Sequence, residues 1–202
     1  MNGTSISGIL ICIVTLAVGA IGHFLLEKET SALFAAKTYA AEDPVGTEVL
    51  IEGKVTDNND LLVHQFVHAE RETFQEASGS SRSYWKTKQQ FKQPLHLTVG
   101  AEDVVLVVDA PVVRGNDVMT FVDPSNSRNR WRGIARGAAV TAVGTIILSN
   151  PVTIKAAVEK VYGSDRAGYA ADLAFGRRAL FITIGIALLI GIAIITYGAK
   201  RR

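Results

Sequence analysis

Two histidines four residues apart are the first residues whose types and spacing could do chemistry. His64 and His68 belong to the segment HQFVH, which resembles half of the helical zinc motif of metalloproteases. Gln65 stands where that motif needs a Glu as general base, and no third ligand follows. On a strand, the two side chains would share a face about 13 Å apart, too far to bind one metal ion. The sequence therefore predicts surface or interface histidines, with no metal and no cofactor.

A second candidate segment places arginines around a tryptophan. The segment SRNRWRGIAR at 127–136 contains Arg128, Arg130, Trp131, Arg132 and Arg136. Tryptophan is enriched at membrane interfaces, and each arginine near anionic head groups contributes about 1 kcal/mol. The same mixture also suits stacking on nucleic acid. The pattern favours a solvated loop first, contact with lipid or a partner second, and nucleic acid last, so no nucleic-acid partner is predicted.

The remaining reactive residues form no recognisable catalytic group. Glu102 and Asp103 lie in a predicted turn, where carboxylates cap backbone groups or face solvent rather than perform acid-base catalysis. The single cysteine, Cys12, lies in an apolar segment and can join neither a disulfide framework nor a zinc cluster. We predict no catalytic residue. An enzyme would need a pocket that joins His64, His68 or His96 to a carboxylate.

Two apolar segments near the chain ends flank the region that contains these candidate residues. Of the 202 residues, 48% are hydrophobic and 20% are charged, and the charge is segregated. Residues 6–26 and 179–199 contain no Lys, Arg, Asp or Glu. Each segment is long enough to cross a hydrocarbon core of about 30 Å as a helix. The first seven residues, MNGTSIS, lack the basic residue of a signal peptide, so an uncleaved anchor is predicted.

Small residues recur at helical spacing within both predicted spans. Thr15 and Gly19 stand four residues apart, as do Ala187 and Gly191. This spacing places small side chains on one helix face and lets two backbones approach closely. The helices are expected to pack against each other within one chain, and packing against a partner's helix is the open alternative.

Charge near the spans gives the expected orientation. All 19 acidic residues and all but three of the 21 basic residues lie in residues 27–178, so that region is nearly neutral. The three others, Lys200, Arg201 and Arg202, form a basic tail at 200–202. Basic residues beside a span favour the cytoplasmic side. We therefore expect a two-pass integral membrane protein with cytoplasmic termini and the intervening domain on the outer or lumenal side.

The intervening region carries the alternation typical of short strands separated by turns. Turn sequences such as DNND, RGND and DPSNS separate the apolar runs. The pattern predicts strands at 49–55, 62–66, 84–91, 95–99, 104–108, 117–122, 140–148 and 152–156. Strands at this spacing indicate a mainly β domain, a small barrel or sandwich with an OB-like barrel among the options. We place it at 44–165, between a connector at 27–43 and a connector helix at 166–178.

Two similar segments each contain a glycine inside a predicted strand. GTEVLIEGKV at 46–55 and GAAVTAVGTI at 137–146 both carry Gly, Val, Gly and a β-branched residue at the same offsets. Gly53 and Gly144 occupy equivalent positions in these segments. A glycine within a strand marks a bulge, a bend or a close backbone approach. Both are expected to let a strand coil from one side of a small barrel to the other.

Several segments in order resemble a known family. VLIEGKV, LLVHQFVHAE, the pair Tyr84 and Trp85, and QPLHLTVGAEDVVLVVDAP resemble the GIDE ("beside a membrane") domain. That domain lies between the two spans of mitochondrial membrane-anchored ubiquitin ligases and also occurs in prokaryotes. In the ligases, a zinc-binding RING follows the second span. One Cys and four His cannot build its two-zinc site, so ubiquitin ligation by this chain alone is excluded.

The leading functional hypothesis is a two-pass membrane protein with a non-catalytic, membrane-apposed β-rich interaction or scaffold domain. Such a protein suits an accessory subunit of a membrane complex, with membrane lipid and either a protein partner or a second copy of itself as contacts. An envelope-associated partner of membrane proteases or scaffolds is the nearest alternative. A ligase-related protein by family name only, or an enzyme with an unrecognised site, is the other. Fold alone decides none of these.

Overall fold

The computed structural model describes residues 3–77 and 82–200 and divides them into two units. A helical unit contains residues up to Phe34 and from Ala170 onward, and a β unit covers Ala35–Tyr169. The two long helices are α1 (Gly3–Ala35) and α2 (Arg166–Lys200). The strands are β1 (Lys37–Thr38), β2 (Glu48–Val55), β3 (Phe66–Gln75), β4 (Tyr84–Phe91), β5 (Leu95–Val99), β6 (Glu102–Val108), β7 (Met119–Val122), β8 (Asn129–Ala135), β9 (Ala139–Ser149), β10 (Val152–Ala156) and β11 (Val161–Tyr162).

Five strands of the β unit close into a barrel. The order is β2-β5-β6-β10-β9, and β9 pairs back to β2 from Ala139 to Thr145. All neighbours are antiparallel except β6 and β10, which are parallel. In chain order the barrel runs first, second, third, fifth and fourth strand, which is the arrangement of the OB fold. The predicted mainly β fold, with an OB-like barrel between two terminal helices, is confirmed.

Alternating apolar side chains fill the barrel. Leu97, Leu106 and Ile154 are fully buried and belong to one continuous core. Their neighbours along each strand are mostly polar or exposed, as a sheet with one wet face requires. Burial of such side chains contributes about 1.5–3 kcal/mol each.

Two strand pairs inserted into barrel connections form a separate four-stranded sheet. β3 and β4 lie between the first two barrel strands, and β7 and β8 lie between the third and fourth. Their order is β4-β3-β8-β7, and we call this sheet the outer sheet. Only its inner end joins the barrel core, through Val67 and Ile134.

The outer sheet contains the largest errors of the sequence prediction. The predicted strand at 62–66 is a tight turn joined by a bridge between Val63 and Phe66, and the strand follows it as β3. The favoured solvated loop at 127–136 is wrong because residues 129–135 form β8. One error lies in the barrel: Glu102 and Asp103 begin barrel strand β6 rather than lying in a turn, and both are exposed. Periodicity failed at β3 and β8 because their polar side chains pair with each other across the sheet instead of alternating with apolar ones.

Gly53 and Gly144 lie where barrel strands change partners. A Cβ atom on Gly53 would come within 2.8 Å of the Thr98 carbonyl oxygen, and one on Gly144 within 2.6 Å of the Lys155 carbonyl oxygen. Real Cβ atoms do not approach backbone this closely. β2 passes from β9 to β5 beside Gly53, and β9 passes from β2 to β10 beside Gly144. The strand-coiling role predicted for both glycines fits this geometry and remains to be tested by substitution.

The helical unit pairs α1 with α2. A Cβ atom on Gly19 would meet Ile184, and one on Gly191 would meet the Cys12 sulfur at 2.5 Å. Thr15 and Ala187, the other two predicted packing residues, are half-buried. The predicted connector helix at 166–178 and the predicted span at 179–199 form one unbroken helix, α2. Likewise α1 continues past the predicted span and takes in part of the predicted connector at 27–43.

Two stretches of these helices are long and apolar enough to cross a membrane. They are Ile6–Lys28 and Arg166–Tyr197, with mean hydropathies of 2.5 and 2.7 over their most apolar windows. Only 6% of each window is buried, so large apolar side chains such as Phe24 and Leu189 are exposed.

Candidate functional site

The structure does not bring the histidines together. His64 lies in the exposed turn before β3, His96 is exposed on barrel strand β5, and His68 is fully buried in β3. The expectation of a surface or interface position therefore fits His64 and is wrong for His68. In residues 3–77 and 82–200, no three His, Cys, Asp or Glu side chains lie together as a metal site.

His68 joins three segments of the β unit from within the core. Its Nδ1 accepts the Val112 N–H at 3.3 Å, and its Nε2 lies 2.5 Å from the Gln93 carbonyl oxygen. A neutral ring protonated on Nε2 donates to this carbonyl and accepts the Val112 N–H on Nδ1. The Gln93 N–H, 3.2 Å from Nε2, is an acceptor contact that this tautomer does not make. Burial lowers the pKa of His68, and the Gln93 carbonyl only partly opposes this shift. The residue holds strand β3 against the chain before β5 and after β6.

One face of the outer sheet carries ion pairs, and we call it the ion-pair face. Glu72 is buried, and its carboxylate accepts a hydrogen bond from Arg130 Nε at 2.6 Å. The Arg130 guanidinium also stacks 4.0 Å above the Trp85 ring, a contact worth about 0.5–1 kcal/mol. Buried Glu70 accepts a hydrogen bond from the Thr87 hydroxyl. The charges of Glu72 and Arg130 are therefore paired within the sheet.

The other arginines predicted to contact lipid or a partner are also engaged within the chain. Arg128 forms an ion pair with Glu76 at 2.5 Å, and Arg132 donates to the Val113 carbonyl. Arg136 donates twice to the Asn59 carbonyl oxygen. Trp131, the fifth predicted residue, lies on the opposite face of the sheet from Arg130 and Arg132 by strand alternation. The five residues therefore do not form one basic surface.

The opposite side of the outer sheet carries an aromatic cluster, and we call it the His64 face. The His64 ring lies 4.4 Å from Phe121 and 4.5 Å from Trp131, measured between ring centroids. The Arg71 guanidinium lies over the Trp131 ring, 5.6 Å from its centroid. His64 has a φ angle of 51° at the first central position of a two-residue turn, where glycine is favoured. The ring contacts help to hold this less favourable backbone.

The outer edge of the sheet is strand β4, which is exposed or half-exposed along all eight residues. It contains Lys86 and Lys88, and Arg82 lies just before it. In the described part of the chain none of these three forms an ion pair, in contrast to Arg130 and Arg132 of β8. No acidic residue occurs from Ala77 to Ala101. Strand periodicity does not identify this edge as a functional surface, whereas the run without acidic residues is a signal in the sequence that points to it.

Two surface cavities of the β unit offer little for catalysis. One of about 180 Å³ is lined by Gln90, Val112 and Arg114 among others. One of about 450 Å³ lies beside Gly53 and Asp165. Neither is lined by a histidine. The pocket joining a histidine to a carboxylate, which the enzyme hypothesis requires, is therefore not provided by these cavities.

Comparisons with known proteins add no relative. No protein family, curated protein or solved structure matches this chain. The resemblance to the GIDE family consequently remains a prediction made from sequence.

Proposed function

We propose that this chain is a two-pass membrane protein whose β unit is a non-catalytic interaction module. The supporting observation for the anchors is the exposure of apolar surface. Each candidate span is strongly apolar and only 6% buried, whereas soluble proteins seldom expose contiguous apolar patches of more than a few hundred Å². A bilayer covers such surface, and helices satisfy their own backbone within it.

The interaction role rests on one observation, the outer sheet. The OB barrel closes through β2 and β9 without any strand of the outer sheet. The outer sheet nevertheless adds four strands whose distal parts leave the core and whose edge β4 is open. A sheet that the barrel does not need for closure, with one ion-paired face, one aromatic face and a free edge, suits contact with a partner.

The orientation and the partner class complete the proposal. The basic tail at 200–202 supports cytoplasmic termini, with the β unit on the outer or lumenal side. The partner is a protein of the same membrane assembly, and membrane lipid surrounds the two spans. Digestion of sealed right-side-out vesicles tests the orientation, since an intact β unit after protease treatment would reverse it.

Photo-crosslinking in native membranes tests the interaction role. A benzophenone side chain replaces Tyr84 on β4 or Met119 on β7, both exposed positions of the outer sheet. The matched control places it at Thr98, an exposed position on barrel strand β5. We expect discrete protein adducts from the outer sheet and not from Thr98. Equal adducts at all three positions, or none at the outer sheet, would contradict the proposal.

A further inference from the structure

The geometry points to β4 as a docking edge for an acidic, extended polypeptide segment that adds to the outer sheet as a fifth strand. This inference rests on the proposed interaction role and specifies its surface and its ligand. Three features carry it, namely the free backbone of β4, its uncompensated charge and its repulsion of a second copy.

The backbone of β4 offers hydrogen-bonding groups to a new strand. On β3, Phe74 directs its N–H toward the β8 side, to the carbonyl of Arg128, the residue just before β8. Its cross-strand partner on the other side is Trp85. Because backbone groups alternate between the two sides of a strand, Trp85 and Thr87 then direct their N–H and C=O groups away from β3. These groups are available for β-augmentation, in which a peptide gains affinity from main-chain hydrogen bonds.

The charge on this edge selects the sign of the incoming strand. Lys86 is exposed and lies opposite Thr73 on the His64 face, so it has no acidic neighbour across the strand. Lys88 is the extra residue of a β-bulge between Thr87 and Gln89. Glutamate or aspartate side chains on an added strand would lie within reach of both lysines. Opposite charges on neighbouring strands contribute about 0.2–1 kcal/mol per pair.

The same lysines disfavour a second copy of this chain. Two β4 edges meeting each other would place Lys86 and Lys88 against like charges, which destabilises strand pairing. Lysines on exposed edges prevent uncontrolled edge-to-edge association. The β4 edge should therefore repel a second β4 edge and attract an acidic strand. Repulsion of one partner together with attraction of another gives specificity.

An acidic strand fits these observations better than nucleic acid or a lipid surface. A flat bilayer contacts side chains on one side of a strand. It does not form the regular hydrogen bonds that the outward N–H and C=O groups of Trp85 and Thr87 offer to an added strand. The arginines that could extend a phosphate-binding surface, Arg128 and Arg130, already pair with Glu76 and Glu72. The backbone edge and the lysines together match only a polypeptide.

Binding to the full chain in nanodiscs of uncharged lipid tests the inference. The probe is an eight-residue peptide of alternating Glu and Val, the length of β4. Matched probes are the same peptide with N-methylated backbone, a Lys-Val peptide, a single-stranded oligonucleotide and vesicles containing phosphatidylserine. Trp85 lies on the edge itself, so its fluorescence reports binding. We expect saturable binding of the Glu-Val peptide and at least about tenfold weaker binding of every other probe.

Charge-reversal variants locate the site. Lys86→Glu combined with Lys88→Glu should weaken binding of the Glu-Val peptide about tenfold or more and admit the Lys-Val peptide. The control combines Lys54→Glu with Lys155→Glu, two exposed barrel positions with the same change in charge, and should change affinity less than about twofold. Unfolding transitions of both variants establish that they fold.

Four results would overturn the inference, and the fourth does so without affecting the interaction role. If both double variants lose the same affinity for the Glu-Val peptide, charge acts without a defined site. If the N-methylated peptide binds as tightly as the Glu-Val peptide, no strand is added to the sheet. Tighter binding of the oligonucleotide or the vesicles assigns the edge to another class of ligand. Crosslinks from Tyr84 to a protein partner, in the absence of Glu-Val binding, would leave the interaction role standing and remove only the acidic-strand ligand.

Discussion

The buried ring of His68 makes the stability of the β unit depend on pH. The folded state holds this histidine neutral between the Val112 N–H and the Gln93 carbonyl. Burial lowers its pKa from the ordinary value of 6.5. Below pH 6.5 the unfolded chain therefore binds a proton at this histidine more readily than the folded chain does. The stabilisation is fully present above pH 6.5 and is lost as the pH falls below it.

The size of the effect follows from one proton. Each pH unit below the unfolded pKa costs up to about 1.4 kcal/mol. Between pH 7.5 and pH 5.0, the free energy of unfolding should fall by up to about 2 kcal/mol from this residue. Replacement by glutamine removes the titration. It also disturbs the bonds to Val112 and Gln93, and leaving one buried group unsatisfied costs about 1–3 kcal/mol.

Urea unfolding of the full chain in detergent micelles measures the pH dependence of the free energy of unfolding. Both tryptophans of the chain, Trp85 and Trp131, lie in the outer sheet, so their fluorescence reports on the β unit. Because His64 touches Trp131, the transition midpoint rather than the intensity is compared between pH values. His68→Gln should be less stable at pH 7.5 and lose less stability on acidification. His96→Gln, at an exposed position, should behave as the unmodified protein. Equal losses between pH 7.5 and pH 5.0 in the unmodified protein and in His68→Gln would refute the reasoning.

Three further sets of substitutions test the barrel and the outer sheet by the same unfolding assay. Gly53→Ala should cost about 1–3 kcal/mol or more because its Cβ meets the Thr98 carbonyl, and stability equal to the unmodified protein would remove the strand-coiling role. His64→Ala should be less stable than His64→Gly by about 1 kcal/mol. Both variants lose the ring contacts, but alanine is strained at a positive φ and glycine is not. A more stable alanine variant would contradict the turn assignment. Arg130→Ala and Glu72→Gln should be coupled by about 0.5–3 kcal/mol in a double-mutant cycle, because their side chains are 23% and 8% exposed and hydrogen-bonded, and additive effects would show that the pair contributes nothing.

The barrel was predictable from sequence because its strands obey a simple alternation. Val49 and Ile51 face the core while Glu52 and Lys54 face solvent, and turn sequences mark the ends. The two apolar segments were equally clear from length and composition. Closure through the pairing of β2 with β9 was not readable, since it joins residues about 90 positions apart in the chain.

The outer sheet was less predictable because its stabilising groups are polar. In β3, the alternating residues are His68, Glu70 and Glu72, which are buried only because partners on other segments satisfy them. Single-segment periodicity cannot register such long-range pairs. The arginines of 127–136 were recognised as unusual, but their carboxylate partners lie more than 50 residues away. From the sequence alone, their charge is therefore predicted to face solvent first, and lipid or a partner second, rather than to pair within the sheet.

Hydrogen–deuterium exchange of the full chain in nanodiscs tests the central claim, an OB barrel with an open outer-sheet edge between two membrane helices. We predict slow exchange in segments 6–26 and 179–199 and in barrel strands β2 and β9. The amides of Trp85 and Thr87, directed away from β3, should exchange fast and become protected when the Glu-Val peptide is added. Fast exchange throughout either apolar segment, or protection of the β4 edge in the absence of any partner, would contradict the account.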